Sequence, residues 1–400
     1  MPVDFKSEVR ILTVHNKYKF RGGEDAARED EARLLAEHGH EIASYTSDNK
    51  QVNDSNLFST GLKTIWSNES YRKVRAELRQ QNYDVLNCHN TFPLISPSVY
   101  YAAKAERVAV VQTLHNYRLL CPNAQLFRDS AICENCVGKT FAYPGIVHSC
   151  YRDSRAGSAA VAAMLLVHRL IKTYQEKIDV FIALTEFARD KYIEGGLPAE
   201  KIVVKPNFVY PDPRAGAGDG NYAVFVGRLT EEKGILTLLE AWKNIGSRIP
   251  LKIVGDGPLR ETVERAAESR IGIDYLGTQP MKEIYELIGA ARAMIFPSEW
   301  YEGLPKVIIE AFAKGTPVIA SNVGSMRSLI EPERNGLHFA PKNVDDLRGK
   351  VEWMLDNSLR WKAMRRHARD EYETKYTAEK NYQMTMEIYR RAIRQSDMCN

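Results

Sequence analysis

The segment Ala293–Ser321, AMIFPSEWYEGLPKVIIEAFAKGTPVIAS, contains two short apolar runs with a helical stretch between them. Runs of this length and composition are typical of buried strands. Strands that alternate with helices indicate a parallel sheet covered on both faces. The segment therefore predicts an α/β fold.

The same alternation extends from this segment over most of the chain. The second half contains five such runs, separated by helices such as those predicted at Ile235–Ile245 and Met281–Ala291. The runs are YAVFVGR, LKIVGDG, IDYLGT, AMIFPS and TPVIASN. The first half contains the runs VRILTVHN, HEIASYT, DVLNCHN and VAVVQTLHN, followed by DVFIALT and KIVVKPN. The helices that separate the first four runs are predicted around Ala26–His38, Tyr71–Gln81 and Ser96–Ala105. The pattern predicts two α/β domains of the Rossmann type.

A chain of 400 residues is longer than one hydrophobic core usually organises. The stretch Pro211–Asn221, PDPRAGAGDGN, is rich in Pro, Gly and Asp and reads as a linker. We expect the last helices to pack back on the first domain. The predicted divisions are a first domain at 1–210 with a Cys-rich insert at 116–151, a linker at 211–221, a second domain at 222–375 and a C-terminal helix at 376–400.

Composition limits the class of protein. The chain is 44% hydrophobic and 26% charged, and it has no run of about 18 apolar residues, so we expect a soluble protein. It begins without the pattern of a secretory signal, which favours the cytoplasm. The net charge of +4 argues against nucleic-acid binding. Two basic clusters are either solvated helix faces or a peripheral contact with the inner face of a membrane: Lys63, Arg72, Lys73, Arg75 and Arg79, and Arg390, Arg391 and Arg394.

Two glutamates mark the junction between a strand and a helix in the opening segment. Glu302 and Glu310 have seven residues between them. Gly303 permits a close backbone approach, Pro305 suits a first helical turn, and the free amides there can meet phosphate oxygens. Glu310 could then accept hydrogen bonds from a ribose, and Glu302 from sugar hydroxyls. The alternative is a solvated helix face.

The loop VGRLTEEKG places two cations after the first strand of the second series. Arg228 and Lys233 suit a diphosphate, and their charge could stabilise a nucleoside diphosphate as it leaves. On this hypothesis catalysis needs no metal or other cofactor. The alternative is a pair of solvent-facing side chains.

Six motifs occur in one order: VGRLTEEKG, IVGDGP, YLGT, FPSEWYEGLPKVIIEA, GTPVIAS and NGLHF. Their order and spacing resemble family 4 of the glycosyltransferases over nearly the whole chain. The resemblance implies a GT-B fold, with two Rossmann-like domains facing each other across a cleft. It also implies a retaining hexosyltransferase that uses a nucleotide sugar, a UDP- or GDP-sugar, with a glycan or lipid-linked glycan as acceptor.

The resemblance also implies roles for single residues. Arg228 and Lys233 would bind the donor diphosphate, Glu310 the ribose and Glu302 the transferred sugar. The run after Gly303 departs from the family's commonest form, which leaves the identity of the sugar open. The implied donor site comprises Gly22, Gly23, Gly227, Arg228, Lys233, Gly303, Leu304, Pro305, Lys306 and Glu310.

Three features of the first domain have a structural and a functional interpretation. The loop Arg21–Glu24 is a plain glycine turn or a loop whose amides approach phosphates. A histidine at a strand end is usually structural, and His89, Asn90 and His115 all lie at such ends. By resemblance, His115 is a catalytic donor-site residue, and His89 and Asn90 line the acceptor side.

Four of the six cysteines fall in the insert. Cys121, Cys133, Cys136 and Cys150 are separated by 11, 2 and 13 residues. A Cys-x-x-Cys pair flanked by two further cysteines predicts a structural zinc site or, alternatively, four buried or unpaired thiols.

Three other functions are open to a chain of this kind. Another GT-B enzyme, a nucleotide-sugar epimerase or a phosphorylase, would share the two domains. A noncatalytic module would keep the donor pocket alone. A dinucleotide-dependent oxidoreductase is disfavoured, because no G-x-G-x-x-G follows either opening strand.

Overall fold

A computed structural model describes residues 8–17, 22–49, 57–245, 248–269 and 272–398 of the chain. Arg21 of the predicted glycine loop lies outside these residues. The chain divides into two compact units. The first unit comprises residues 1–126, 134–206 and 381–400, and the second comprises residues 127–133 and 207–380.

Fourteen strands are numbered along the described residues. They are β1 (Arg10–Lys17), β2 (Glu41–Asp48), β3 (Val85–Asn90), β4 (Ala109–Leu114), β5 (Phe127–Arg128), β6 (Ala131–Ile132), β7 (Val180–Ala183), β8 (Ile202–Val204), β9 (Ala223–Val226), β10 (Leu251–Val254), β11 (Ile273–Gly277), β12 (Ala293–Phe296), β13 (Val318–Ser321) and β14 (Gly336–Phe339).

Sixteen α-helices are numbered in the same way along the described residues. They are α1 (Gly23–Glu37), α2 (Leu57–Ile65), α3 (Asn68–Gln80), α4 (Ser98–Ala105), α5 (Tyr143–Val147), α6 (Arg155–Leu170), α7 (Thr173–Glu176), α8 (Glu186–Glu194), α9 (Ile235–Ile245), α10 (Arg260–Glu268), α11 (Met281–Ala290), α12 (Lys306–Ala313), α13 (Met326–Leu329), α14 (Val344–Asp356), α15 (Ser358–Lys375) and α16 (Ala378–Met398).

The first unit is built on a parallel sheet of six strands in the order β2-β1-β3-β4-β7-β8. β3 and β4 are buried along their whole length, as expected for strands covered on both faces. Tyr389 and Ala392 of α16 pack in the same core as Ile11, Val85 and Val111. The prediction that the last helices pack on the first domain is therefore confirmed for α16, whereas α14 and α15 belong to the second unit.

The second unit also contains a parallel sheet of six strands, in the order β11-β10-β9-β12-β13-β14. Its core joins Phe225 and Ile295 of the sheet to Trp242 of α9 and Trp361 of α15. The antiparallel hairpin β5–β6, from the Cys-rich insert, is counted with this unit. Both units are α/β with parallel sheets, as the alternating pattern predicts.

Three details differ from the sequence-based expectations. The run NGLHF forms a sixth strand, β14, beside the five predicted for the second domain. α1 begins before Ala26, because the Asp25 carboxylate accepts from the Gly22 amide and caps the helix. The predicted linker packs on the second unit, where the amides of Gly216 and Gly218 donate to carbonyls of Lys314 and Gly289.

Glycine explains why the segment at 211–221 packs so closely. A Cβ on Gly216 would lie 2.3 Å from the Gly289 Cα. Arg365 of α15 donates to the carbonyl oxygens of Gly216 and Gly289, at 3.2 and 3.0 Å, and so holds the two backbones together. Pro, Gly and Asp therefore specify an ordered backbone here rather than a free linker. None of the described helices has the length and apolarity that a membrane crossing requires.

Candidate functional site

The carboxyl ends of β9 and β12 define the candidate site of the second unit. The two strands are neighbours, but chain order runs outward from β9 on one side and from β12 on the other. Ligands of doubly wound sheets bind at such a switch point, beyond the carboxyl ends of the strands. The loop with Arg228 and Lys233 follows β9, and the loop with Glu302 follows β12.

An ion pair joins these two loops. The Lys233 Nζ lies 2.5 Å from the Glu302 Oε1. The Ser298 hydroxyl and the Trp300 indole N–H donate to the same oxygen, at 2.7 and 2.8 Å. Because Glu302 is buried, these donors compensate the cost of removing its charge from water. They also hold the carboxylate in one orientation.

Aromatic rings surround the lysine. The Lys233 Nζ lies 5.7 Å from the centre of the Phe296 ring and 5.6 Å from that of Trp300, within the range of cation–π attraction. Its side chain is 20% exposed, so the ammonium group remains at the surface of the site. Lys233 can therefore contact both the buried carboxylate and an anionic ligand.

Backbone contacts hold the two loops close together. The Glu299 amide donates to the Glu232 carbonyl at 2.8 Å. Gly234 follows Lys233 with a φ of 71°, and a Cβ there would lie 2.0 Å from the Pro297 carbonyl oxygen. This close approach requires glycine, because a side chain would separate the loops.

The other predicted donor residues lie on the same loops or on α12. Arg228 is 68% exposed at its side chain, and its guanidinium lies 3.3 Å from Glu232 on its own loop. Gly303 precedes α12, Pro305 caps that helix, and Lys306 is its first residue. Leu304 and Glu310 are buried, Glu310 on the second turn of α12.

The amide of Gly227 already has a partner. It donates to the Val254 carbonyl at 3.0 Å, and a Cβ on Gly255 would lie 1.8 Å from the Gly227 carbonyl oxygen. Gly227 therefore contributes to the packing between the loops after β9 and β10. In the first unit, Gly22 likewise donates its amide to Asp25, at 2.9 Å, and Gly23 is the first residue of α1.

The first unit has its own switch point, between β1 and β3. Three histidines lie there, at the ends of β1, β3 and β4. The His89 Nδ1 lies 3.0 Å from the His115 Nε2, and the two rings stack with centres 5.3 Å apart. The His15 Nε2 lies 2.8 Å from the Asp25 Oδ1. His15 and Asp25 were not singled out from the sequence, although His15 lies near the end of the opening strand.

Burial keeps these histidines neutral. It lowers the pKa of His89 well below its usual value, and the neighbouring His15 adds to this effect. Burial and then His89 do the same to the pKa of His115. Burial also lowers the pKa of His15, although the hydrogen bond to Asp25 acts in the opposite direction. A neutral pair explains the short contact between His89 and His115, since one ring can donate and the other accept.

His89 and Asn90 are both buried. The Asn90 side chain donates to the Asn16 carbonyl at 3.1 Å and accepts from the Phe92 amide at 3.0 Å. These bonds fix the loop that follows β3. The predicted place of His89 and Asn90 on the acceptor side stays a prediction.

A buried ion pair missed by the sequence analysis lies beneath the histidines. Lys205 Nζ contacts Glu31, and the Asn87 side chain donates to the same glutamate at 2.9 Å and to Tyr389 at 2.8 Å. Lys205 also donates to Thr385 at 3.0 Å. The network joins β3 to α16. Little in the sequence indicates it, because its members are isolated polar residues in separate segments of the chain.

The four cysteines of the insert form no disulfide, and the described residues include no group of three or more His, Cys, Asp or Glu side chains that could hold a metal ion. Cys136 packs in an apolar cluster with Ala142 and Leu165, and the Cys121 thiol donates to Asn123. Zinc binding by the insert stays a prediction, which metal analysis of the purified protein before and after chelation tests.

Two parallel sheets with polar groups at their switch points define a nucleotide-binding class of α/β protein. Comparisons with known families narrow this class. The model described as "Glycosyltransferase Family 4" matches residues 29–212, and the model described as "Glycosyl transferases group 1" matches residues 212–372. Together the two matches run through both units, and the chain belongs to glycosyltransferase family 4.

Curated relatives match over part of their length. A putative teichuronic acid biosynthesis glycosyltransferase, TuaC of Bacillus subtilis, is 34% identical over 39% of this chain and 38% of its own. The O-antigen chain mannosyltransferase B of Escherichia coli is 30% identical over 48% of this chain and 57% of its own. An uncharacterized glycosyltransferase of Methanocaldococcus jannaschii is 33% identical over 44% of this chain and 46% of its own. The chain thus spans about half the length of these relatives, or less.

Solved structures agree on the fold. HepE of Anabaena, in complex with UDP, is 17% identical with a TM-score of 0.68, over 95% of this chain and 99% of its own. Sucrose-phosphate synthase of Thermosynechococcus elongatus is 16% identical with a TM-score of 0.70, over 96% and 98%. These similarities confirm the predicted GT-B class of fold.

Proposed function

We propose that the protein transfers a hexose from a UDP- or GDP-sugar to a glycan or lipid-linked glycan, with retention of the anomeric configuration. The observation that supports this most is the contact of Lys233 with Glu302 at the switch point of the second sheet. A cation and a fixed carboxylate at that place suit the two ends of a sugar diphosphate. The names of the TuaC and O-antigen relatives support a glycan acceptor.

The two cations have separate tasks in this proposal. Lys233, at the surface of the site, contacts the diphosphate, and Arg228, which is exposed, turns from Glu232 towards it. Their positive charge stabilises the nucleoside diphosphate as the bond to the sugar breaks. The proposed reaction needs no protein nucleophile, because the acceptor hydroxyl attacks the anomeric carbon on the face that the leaving phosphate occupies and passes its proton to that phosphate.

The two carboxylates bind hydroxyl groups. Glu302, held by Ser298 and Trp300, accepts from the transferred sugar, and Glu310 accepts from the ribose. The carboxylate of Glu302 is oriented before the donor arrives, so little side-chain entropy is lost on binding. For His115, Gly22 and Gly23, a role at the donor remains a prediction.

The first experiment is a calorimetric screen of UDP-, GDP- and ADP-sugars, followed by turnover with the sugar that binds. We expect R228A and E310Q to lower turnover at least about tenfold, which corresponds to one lost charged hydrogen bond. The matched control is R248A, since Arg248 is half exposed and pairs with Glu352 at 3.5 Å in the same unit. Unchanged turnover in both site variants would reject the site.

Product analysis separates the proposal from its rivals. A new glycosidic bond with the donor's anomeric configuration, assigned by NMR, supports retaining transfer. An isomerised nucleotide sugar formed from donor alone would instead identify an epimerase. Donor binding with neither transfer nor slow hydrolysis would identify a noncatalytic module.

A further inference from the structure

Exposed apolar side chains are concentrated on one part of the first unit. Eight of the thirteen exposed large hydrophobic side chains among the described residues lie within 62–66 and 141–171. They include Leu62, Trp66, Tyr143, Val147, Leu170 and Ile171. Clustering of this kind marks an interaction surface, whereas single exposed apolar residues do not.

Three packed helices bring these side chains together. A Cβ on Gly61 of α2 would lie 3.3 Å from the Ala160 Cβ of α6. The His168 Nε2 of α6 lies 2.8 Å from the Ile65 carbonyl oxygen. On the other side of the cluster, Ala142, before α5, packs with Leu165 of α6. Both α2 and α5 are therefore held against α6.

Each helix exposes its apolar residues at helical spacing. Leu62 and Trp66 are four residues apart at α2, and Tyr143 and Val147 are four apart on α5. Val167 and Leu170 are three apart on α6. Residues at these spacings lie on the same side of a helix. We call the exposed side of α2, α5 and α6 the α6 surface.

The segments that carry the α6 surface are basic, with Glu69, Asp153 and Glu176 at their borders. The stretches 57–68, 135–152 and 154–175 contain no Asp or Glu. Lys63, Lys139 and Lys172 are exposed within them. The Lys139 Nζ lies 5.7 Å from the centre of the exposed Tyr143 ring, so cation and aromatic group are side by side. Exposed apolar side chains with lysines among them are complementary to an anionic lipid surface.

We propose that the α6 surface docks on an anionic lipid bilayer, with its apolar side chains in the interface and its lysines at the headgroups. A second copy of the chain fits less well, because a symmetric contact would bring the lysines of both copies together. The role given to docking rests on the proposed function, because docking would bring the enzyme to a lipid-linked acceptor. Bilayer binding itself can be measured without donor or acceptor.

The test is co-sedimentation of the whole protein with phosphatidylcholine vesicles, with and without phosphatidylglycerol. We expect binding to require the anionic lipid and to weaken as salt rises. In V147E/L170E, two side chains that are 60% and 65% exposed become charged. We expect this variant to lose about tenfold or more in vesicle partitioning, since each leucine-sized group contributes that much when buried.

The matched control adds the same charges elsewhere. Leu359 and Met398 are 82% and 78% exposed, so L359E/M398E changes the net charge equally without touching the α6 surface. It should bind vesicles as the wild type does. K139E/K172E should bind anionic vesicles about fivefold more weakly for each lysine replaced, and its binding to neutral vesicles should not change. Thermal unfolding and calorimetry with UDP and GDP check that each variant is folded and that nucleotide binding is intact.

Three outcomes would overturn the docking proposal. Equal binding of V147E/L170E and wild type would reject the surface, and equal binding to neutral and anionic vesicles would reject its charge complementarity. The surface would instead be a protein interface if the wild type is a dimer, V147E/L170E is a monomer, and neither binds vesicles. If neither UDP nor GDP binds to the wild type, the proposed function fails while the vesicle result still stands.

Discussion

Lys233 and Glu302, 69 residues apart in the chain, meet with 2.5 Å between Nζ and Oε1. The contact joins the loops after two neighbouring strands of the second sheet. It combines a cation that is still reachable from solvent with a carboxylate that is buried. Substitutions at either partner should therefore affect stability and donor turnover to different extents.

Removing the lysine should affect both properties. K233A leaves the buried Glu302 carboxylate with Ser298 and Trp300 as donors, which should cost about 2 kcal/mol of unfolding free energy. E302Q keeps the shape and removes the charge, so we expect a smaller loss of stability and at least about a tenfold loss of turnover. Denaturant unfolding and donor kinetics measure the two effects. A K233A protein with wild-type turnover would contradict the proposed diphosphate contact.

The Trp300 indole should act by positioning Glu302. W300F keeps an aromatic ring near Lys233 but removes the N–H that donates to Glu302 at 2.8 Å. We expect kcat to fall about fivefold to tenfold with a smaller change in KM, because the misplaced carboxylate affects the transition state most.

The control for W300F is W242F in the core of the same unit. The Trp242 indole donates to the Ile249 carbonyl at 3.0 Å. W242F should lower stability by about 1 to 2 kcal/mol and leave kcat of the folded protein unchanged. If the two variants differ from wild type only in stability, Trp300 has no positioning role.

Close backbone packing beside Lys233 predicts that G234A is severe. The new Cβ would meet the Pro297 carbonyl oxygen at 2.0 Å, at a residue whose φ is 71°. We expect the free energy of unfolding to fall by at least about 2 kcal/mol. The loops must move apart, and a residue with a side chain is also strained in the left-handed backbone conformation. Donor affinity should fall with it, as measured by calorimetry.

Gly277 provides the matched control, because its φ is 65° and a Cβ added there would have no atom within 4 Å. G277A should therefore cost only the backbone strain, about 1 to 2 kcal/mol. Equal effects of the two substitutions on donor affinity would show that the contact with Pro297 is unimportant.

Stability should fall on acidification because of the buried histidines. The pKa values of His89 and His115 are lowered mainly by burial, so the unfolded chain binds protons that the folded chain does not. Their contribution to the free energy of unfolding is complete at pH values above the unfolded-state pKa of about 6.5. It is lost as the pH falls below that value. Each such histidine adds a slope of about 1.4 kcal/mol per pH unit in that window.

Denaturant unfolding between neutral and mildly acid pH measures this slope. We expect H115N to reduce this slope, because one buried neutral histidine is removed. A slope in H115N equal to that of the wild type would contradict the assignment.

Particular elements show how far sequence reasoning reached. α9 has the predicted bounds, Ile235–Ile245, because its apolar spacing is regular and uninterrupted. The stretch at 211–221 was interpreted as a linker, because the same small residues that make a chain flexible also permit the tight contact of Gly216 with Gly289. The motif residues Arg228, Lys233, Glu302 and Glu310 were found from their order, whereas Ser298 and Trp300, inside the same motif, were not.

Sequence alone determined that the chain has two α/β units, because strand and helix periodicities are local and report burial directly. The resemblance to glycosyltransferase family 4 came from the order of its motifs. Tertiary structure decided which polar groups meet: Lys233 with Glu302, His89 with His115, and Lys205 with Glu31. These contacts depend on which strands are neighbours and where each strand ends. That order arises from packing between distant segments, which no local pattern of residues encodes.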